Sequence, residues 1–210
     1  MKLRSLATVA AVATAVLFAA PASAREPGPY KVQQLAAGAQ LPKSIKVRGK
    51  QVLQVWTWQE SDFVGTGYAV FSQTETVEDD HVTGRQLYVQ LYTGKGDAQK
   101  QLRLVQDGVR DCELDVVASF VEGSVSVTDV DGDGKNELTF AYDLACKGDI
   151  SANVRKLLVL EHKDKHALRG TSRIVLGDLV EGGDYKPDGF KKQPALKTLA
   201  ETRWKELLGT

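Results

Sequence analysis

Between residues 45 and 176 apolar and polar positions alternate with a period of two, in short runs separated by Gly, Asp, Asn and Ser. The clearest run is RQLYVQLY (Arg85–Tyr92), with Leu87, Val89 and Leu91 on one side and Tyr88, Gln90 and Tyr92 on the other, because neighbours in a strand point to opposite faces. Ile45 and Val47 with QVLQVWTW predict one or two strands. TGYAVFSQ, KQLRLVQ, CELDVVASF, GSVSVTDV, ELTFAYDL, RKLLVLEH and ALRGTSRIVL continue the pattern, and TGKGD, QDG and EGS read as turns. Many short strands without intervening helical periods predict a mainly β fold: an antiparallel sandwich, a barrel or a small propeller-like assembly.

Two regions break the period. Leu196, Leu199, Ala200, Trp204, Leu207 and Leu208 recur at three- and four-residue spacing after Pro194, which predicts one amphipathic helix over 195–208 that covers the sheet. Before it, EGGDYKPDGFKKQP (181–194) reads as a long loop. At the other end Lys2 and Arg4 precede an apolar run, and Ala22-Ser23-Ala24 has the small-x-small pattern of a cleavage site. Residues 1–24 are expected to be a signal peptide, 25–42 a tether, and 43–210 a single β-rich domain. The expected location is the periplasm or the medium, with no transmembrane segment left after cleavage.

Losing Lys2 and Arg4 with the leader would take the balanced 27 basic and 27 acidic residues to a net charge of −2. No cluster of Lys and Arg suggests nucleic acid as a partner. Cys112 and Cys146 are expected to form one disulfide in an oxidising compartment. On the loop-entropy account a bridge of that span stabilises by about 3–4 kcal/mol.

The candidate chemistry lies in TDVDGDGKNELTFAY (Thr128–Tyr142). Counting from Asp129, carboxylates fall at positions one, three, five and nine (Asp129, Asp131, Asp133, Glu137), with Gly134 at six and the Lys135 carbonyl at seven. Oxygen ligands at those offsets, with glycine at the sharp turn, suit a hard cation, and Ca²⁺ fits better than Mg²⁺, which demands a strict octahedron. The loop has no His or Cys for zinc. Position twelve is Phe140 rather than the glutamate of an EF-hand, and the flanks alternate as strands.

This segment resembles the β-hairpin calcium loop of FG-GAP and related extracellular repeats. That resemblance implies Asp129, Asp131, Asp133 and Glu137 as side-chain ligands, with Glu where Asp is more usual at position nine. From about Ile45 to Leu208, through this loop and the ALRGT region, the chain also resembles a group of uncharacterised exported bacterial proteins labelled as surface polysaccharide biosynthesis. A third similarity, confined to the loop and the compartment, is to periplasmic lysozyme inhibitors and related immunity proteins.

Nucleophile elbows, zinc-protease motifs and phosphate loops are absent from the sequence. His162 and His166 read as part of a charged hairpin turn, His81 as another turn, and Glu60 with Asp62 as solvated loop acids. Trp56 and Trp58 share one strand face, and Tyr88 and Tyr92 another. These four are the candidate binding surface for an envelope protein or polysaccharide, if they are exposed. The expected function is therefore a calcium-binding envelope interaction module. The alternatives are an inhibitor or immunity protein against a cell-wall hydrolase, and a glycan-active enzyme.

Overall fold

The period-two runs become thirteen strands in a computed structural model that describes residues 30–60 and 65–209. The expected signal peptide and Asp62 lie outside the described residues. The first sheet is an antiparallel meander of β1 (Tyr30–Gln34), β2 (Gln51–Gln59), β3 (Thr66–Glu78), β4 (His81–Lys95) and β5 (Ala98–Val109). The chain then forms β6 (Asp115–Phe120), β7 (Ser126–Thr128), β8 (Glu137–Lys147), β9 (Val154–Glu161) and β10 (Asp164–Thr171). In the second sheet β6 and β7 both pair with β8, followed by β9 and β10. β11 (Arg173–Leu176) and β12 (Leu179–Gly182) make a separate hairpin, and β13 (Tyr185–Asp188) returns to the edge beside β10. The segment read as a loop over 181–194 thus carries part of β12 and all of β13.

The two sheets pack face to face as a sandwich. Phe71, Val89 and Leu91 of the first meet Phe140, Leu158 and Leu160 of the second in one core, with Phe71 and Phe140 edge-on at 5.4 Å between centroids. The helix α1 (Pro194–Glu206) covers the opposite face of the second sheet. Its Leu196, Ala200 and Trp204 are buried against Ala141, Leu157, Val159 and Leu168. β8 is therefore buried on both sides: all eight residues of ELTFAYDL are buried, the polar Glu137, Thr139 and Asp143 among them. The described residues include no helix long and apolar enough to cross a membrane.

Several sequence expectations are corrected here. Tyr30–Gln34, within the expected tether, is an edge strand paired to β2. Ile45 and Val47 are not in a strand; they lie in an irregular segment that packs, with Leu35 and Leu41, over Val70 and Tyr92 on the outer face of the first sheet. QDG is inside β5, where Gly108 comes so close to β4 that an added Cβ would sit 2.3 Å from the Arg85 carbonyl oxygen. The expected disulfide is present: Cys112 and Cys146 are bonded, with Cα atoms 5.6 Å apart, tying the β5–β6 connection to β8.

Candidate metal centre

β7 and β8 form a short antiparallel ladder, Ser126↔Thr139 to Thr128↔Glu137, and residues 129–136 are the loop that joins them. Gly132 and Gly134 turn it with φ of 72° and 84°, a left-handed backbone that glycine adopts without steric cost. Asp131 Oδ1 accepts from the Asp133 amide at 3.2 Å and Asp133 Oδ1 from the Lys135 amide at 2.8 Å. The alternating aspartates thus set the local turns as well as the charge.

Two groups of carboxylates converge. Asp129, Asp131 and Glu137 each offer an oxygen within 4.8 Å of the others, and so do Asp131, Asp133 and Glu161. The first group and Asp133 are the four acids expected from the spacing. Glu161 is new: it ends β9, directly opposite Glu137 in the β8–β9 register, and is 4% exposed. No local motif announces it, since only the strand pairing brings it to the loop.

The electrostatics are those of a site lacking positive charge. Glu137 is fully buried; its Oε2 accepts from Thr128 Oγ1 at 2.7 Å and from the Val130 amide at 2.9 Å, but its Oε1 has no partner. Asp129 Oδ1 is also buried and unpartnered. Burial pushes the Glu137 carboxyl up to about 7, against the lowering effect of those two donors and with help from Asp131 and Asp129. Burial, reinforced by Asp133, likewise raises Glu161. The nearby compensating cation is Lys135. Its Nζ pairs with Asp133 Oδ2 and stands 3.8 Å from Glu161 Oε1. That pairing outweighs burial and holds Asp133 below the usual carboxylate range. Buried acceptors without donors carry a desolvation cost of about 1–3 kcal/mol each, and a metal ion would remove it. Asp129, Asp131 and Glu137, or Asp131, Asp133 and Glu161, are close enough together to hold a metal ion.

A cleft of about 280 Å³ adjoins the loop, lined by Trp58, Glu60, Leu91, Leu102, Asn136 and His162 among others. Asn136 and Glu137 are neighbours in sequence but face opposite ways: Glu137 toward the carboxylates, Asn136 toward the cleft, where its Nδ2 donates to Glu60 Oε2. Trp58 Nε1 donates to the other oxygen of Glu60 at 3.0 Å. Glu60 is thus a half-buried acid bridging the sheets rather than a solvated loop residue, and burial raises its pKa despite both donors. Gly67 is in β3 beside Trp58, where a Cβ would lie 2.2 Å from the indole Cε2.

The aromatic surface expected from the sequence is not exposed. Tyr88 and Tyr92 are 9% and 3% exposed and Trp58 2%. Tyr92 donates its hydroxyl to the Lys46 carbonyl at 3.1 Å, and Gln90 Nε2 donates to the same carbonyl at 2.8 Å. This face is closed by residues 43–50. Trp56 is half-buried against the main core with its Nε1 bonded to Gln54. His162 is in the β9–β10 turn and lines the cleft, while His166 is buried, stacked on Phe190 with Nδ1 2.8 Å from the Gly189 carbonyl; the two histidines do not form a pair. Compared with family models, curated proteins and solved structures, the chain matches none.

Proposed function

We propose that this chain is an exported, calcium-binding interaction module of the bacterial cell envelope, in which the ion fixes one wall of a ligand cleft. The observation that carries the reading is the opposed orientation of Asn136 and Glu137: one peptide unit links the carboxylate cluster to the cleft. An ion held by Asp129, Asp131, Asp133, the Lys135 carbonyl and Glu137 would fix Gly134, Lys135 and Asn136, all of which line the cleft. Calcium is the ion that suits this all-oxygen set, with affinity of about 10⁻⁴–10⁻³ M if the loop behaves as other extracellular modules do. The Cys112–Cys146 bond supports an oxidising destination.

The cleft supplies an apolar floor (Trp58, Leu91, Leu102) beside polar groups (Glu60, Thr93, Lys95, Asn136). That combination suits a ring bearing hydroxyl groups, and the volume lies just under the usual range of about 300–1,000 Å³ for small-molecule sites. It takes one sugar residue of a surface polysaccharide rather than a long oligosaccharide. Buried Tyr88 and Tyr92 contribute to the scaffold and not to the contact.

The test is binding of purified protein to a glycan array and to envelope polysaccharide, in calcium and in chelator, with Asn136→Ala alongside. Retention that needs calcium and weakens at least tenfold in the variant supports the reading. Retention indifferent to both changes overturns the role of the cleft. Capture and inhibition of a cell-wall hydrolase in place of a glycan would replace the polysaccharide with a protein partner.

A further inference from the structure

We propose that Glu161 is a ligand of the same cation site, contributed from outside the loop, and that the Lys135 ammonium is the group the ion displaces. This rests on the calcium reading. Asp131 belongs to both carboxylate groups, so a Glu161 oxygen and a Glu137 oxygen are each within 4.8 Å of oxygens on one shared residue. Oxygens bound to one Ca²⁺ stand up to about 5 Å apart, twice the metal–oxygen distance of about 2.3–2.6 Å. Each group is therefore on the scale of one coordination shell, and Asp131 is the residue the two share. The loop alone offers four carboxylates and a carbonyl, whereas calcium takes about 6–8 oxygens. A buried acid aimed at the loop from β9 supplies more. The second sign of a ligand is the buried, unpartnered Oε1 of Glu137, with Oδ1 of Asp129 beside it.

Lys135 holds the place of positive charge. Its ammonium pairs with Asp133 and reaches toward Glu161, but its side chain is 52% exposed and free to swing into solvent. An ion entering between Asp131, Asp133 and Glu161 repels that ammonium, and the backbone carbonyl of the same residue takes over as ligand. Lys135 thus competes with calcium at its own site and lowers the affinity. The register Glu137↔Glu161 makes the site a cross-strand one, clamping β8 to β9 as well as closing the hairpin. The competing account makes Glu161 only the ion-pair partner of Lys135.

Calorimetric titration with Ca²⁺ separates the two, on purified wild type, Glu161→Gln, Lys135→Met and, as an exposed acidic control, Glu122→Gln. The expected results are at least tenfold weaker binding for Glu161→Gln, at least threefold tighter binding for Lys135→Met, and no change for Glu122→Gln. Glu161→Gln within twofold of wild type would overturn Glu161 as a ligand, and Lys135→Met no tighter than wild type would overturn the displacement. Should the wild type itself take up no calcium, the calcium reading and this inference fall together; unchanged Glu161→Gln beside a binding wild type sinks the inference alone.

Discussion

Strands β8 and β9 bury an ionisable pair at each end of one ladder, and the two ends resolve burial in opposite ways. Near one end Asp143 faces Arg155, 8% and 5% exposed. The guanidinium donates to both carboxylate oxygens, at 2.8 and 3.0 Å, and to the Leu207 carbonyl at the end of the helix. At the other end Glu137 faces Glu161, like charges directly opposite, which destabilises a sheet pair. The first end is complete within the protein. At the second, Glu137 Oε1 has no partner within the protein, and that difference separates a structural pair from a candidate metal site.

Breaking the complete end gives the largest expected effect. Asp143→Ala leaves Arg155 as a lone buried charge and costs about 3–5 kcal/mol, to be measured by urea unfolding. The loss should be the same in calcium and in chelator. A loss of similar or smaller size comes from replacing both Cys112 and Cys146 by Ala, about 3–4 kcal/mol for a bridge of this span. The calcium response of that variant should persist, because the bridge joins β8 at its other end.

The incomplete end should behave with opposite sign. Glu137→Gln removes a buried negative charge and, in chelator, raises the melting temperature by about 2–4 °C, equivalent to about 1 kcal/mol in a domain of this size. In calcium the same variant should melt below the wild type. A variant that loses stability equally in both conditions would make the Glu137 end as structural as the Asp143 end.

The smallest effect lies at the pair next to Asp143 and Arg155, where Tyr142 faces Lys156 and both bond Asp107 of β5. Burial acts to raise the Asp107 carboxyl, but the hydrogen bonds from Lys156 and Tyr142 outweigh it and hold the pKa below its usual 3.8. A depressed carboxylate contributes stability above its unfolded pKa and loses it as pH falls through the folded value. Wild type minus Asp107→Asn should therefore show a stability difference that is constant above about pH 5 and shrinks below pH 4, read from unfolding curves across pH.

The strands and the helix were legible in the sequence because burial on one face leaves a period of two or of 3.6. The four loop acids were legible for a similar reason: local spacing fixes local geometry. What the sequence hid depends on distant pairing. Glu161 reaches the cluster through the β8–β9 register, 24 residues beyond Glu137 in number but opposite it in space. Glu60 looked solvated because nothing near it in sequence announces Asn136, 76 residues away. The burial of Tyr88 and Tyr92 was hidden because the polar, Gly- and Ala-rich stretch that precedes Ile45 resembles a tether, yet residues 35–50 fold back as a cover. A covering segment without periodicity leaves no pattern to read.

Thermal unfolding of wild type and Asp131→Ala in Ca²⁺, in Mg²⁺ and in chelator tests the central claim most directly, since Asp131 belongs to both carboxylate groups. The account predicts a melting temperature that calcium raises well above both other conditions, and a variant that calcium leaves unmoved. A wild type that melts at one temperature in all three would contradict it, and would make the acidic loop a turn that tolerates its charge through Lys135 alone.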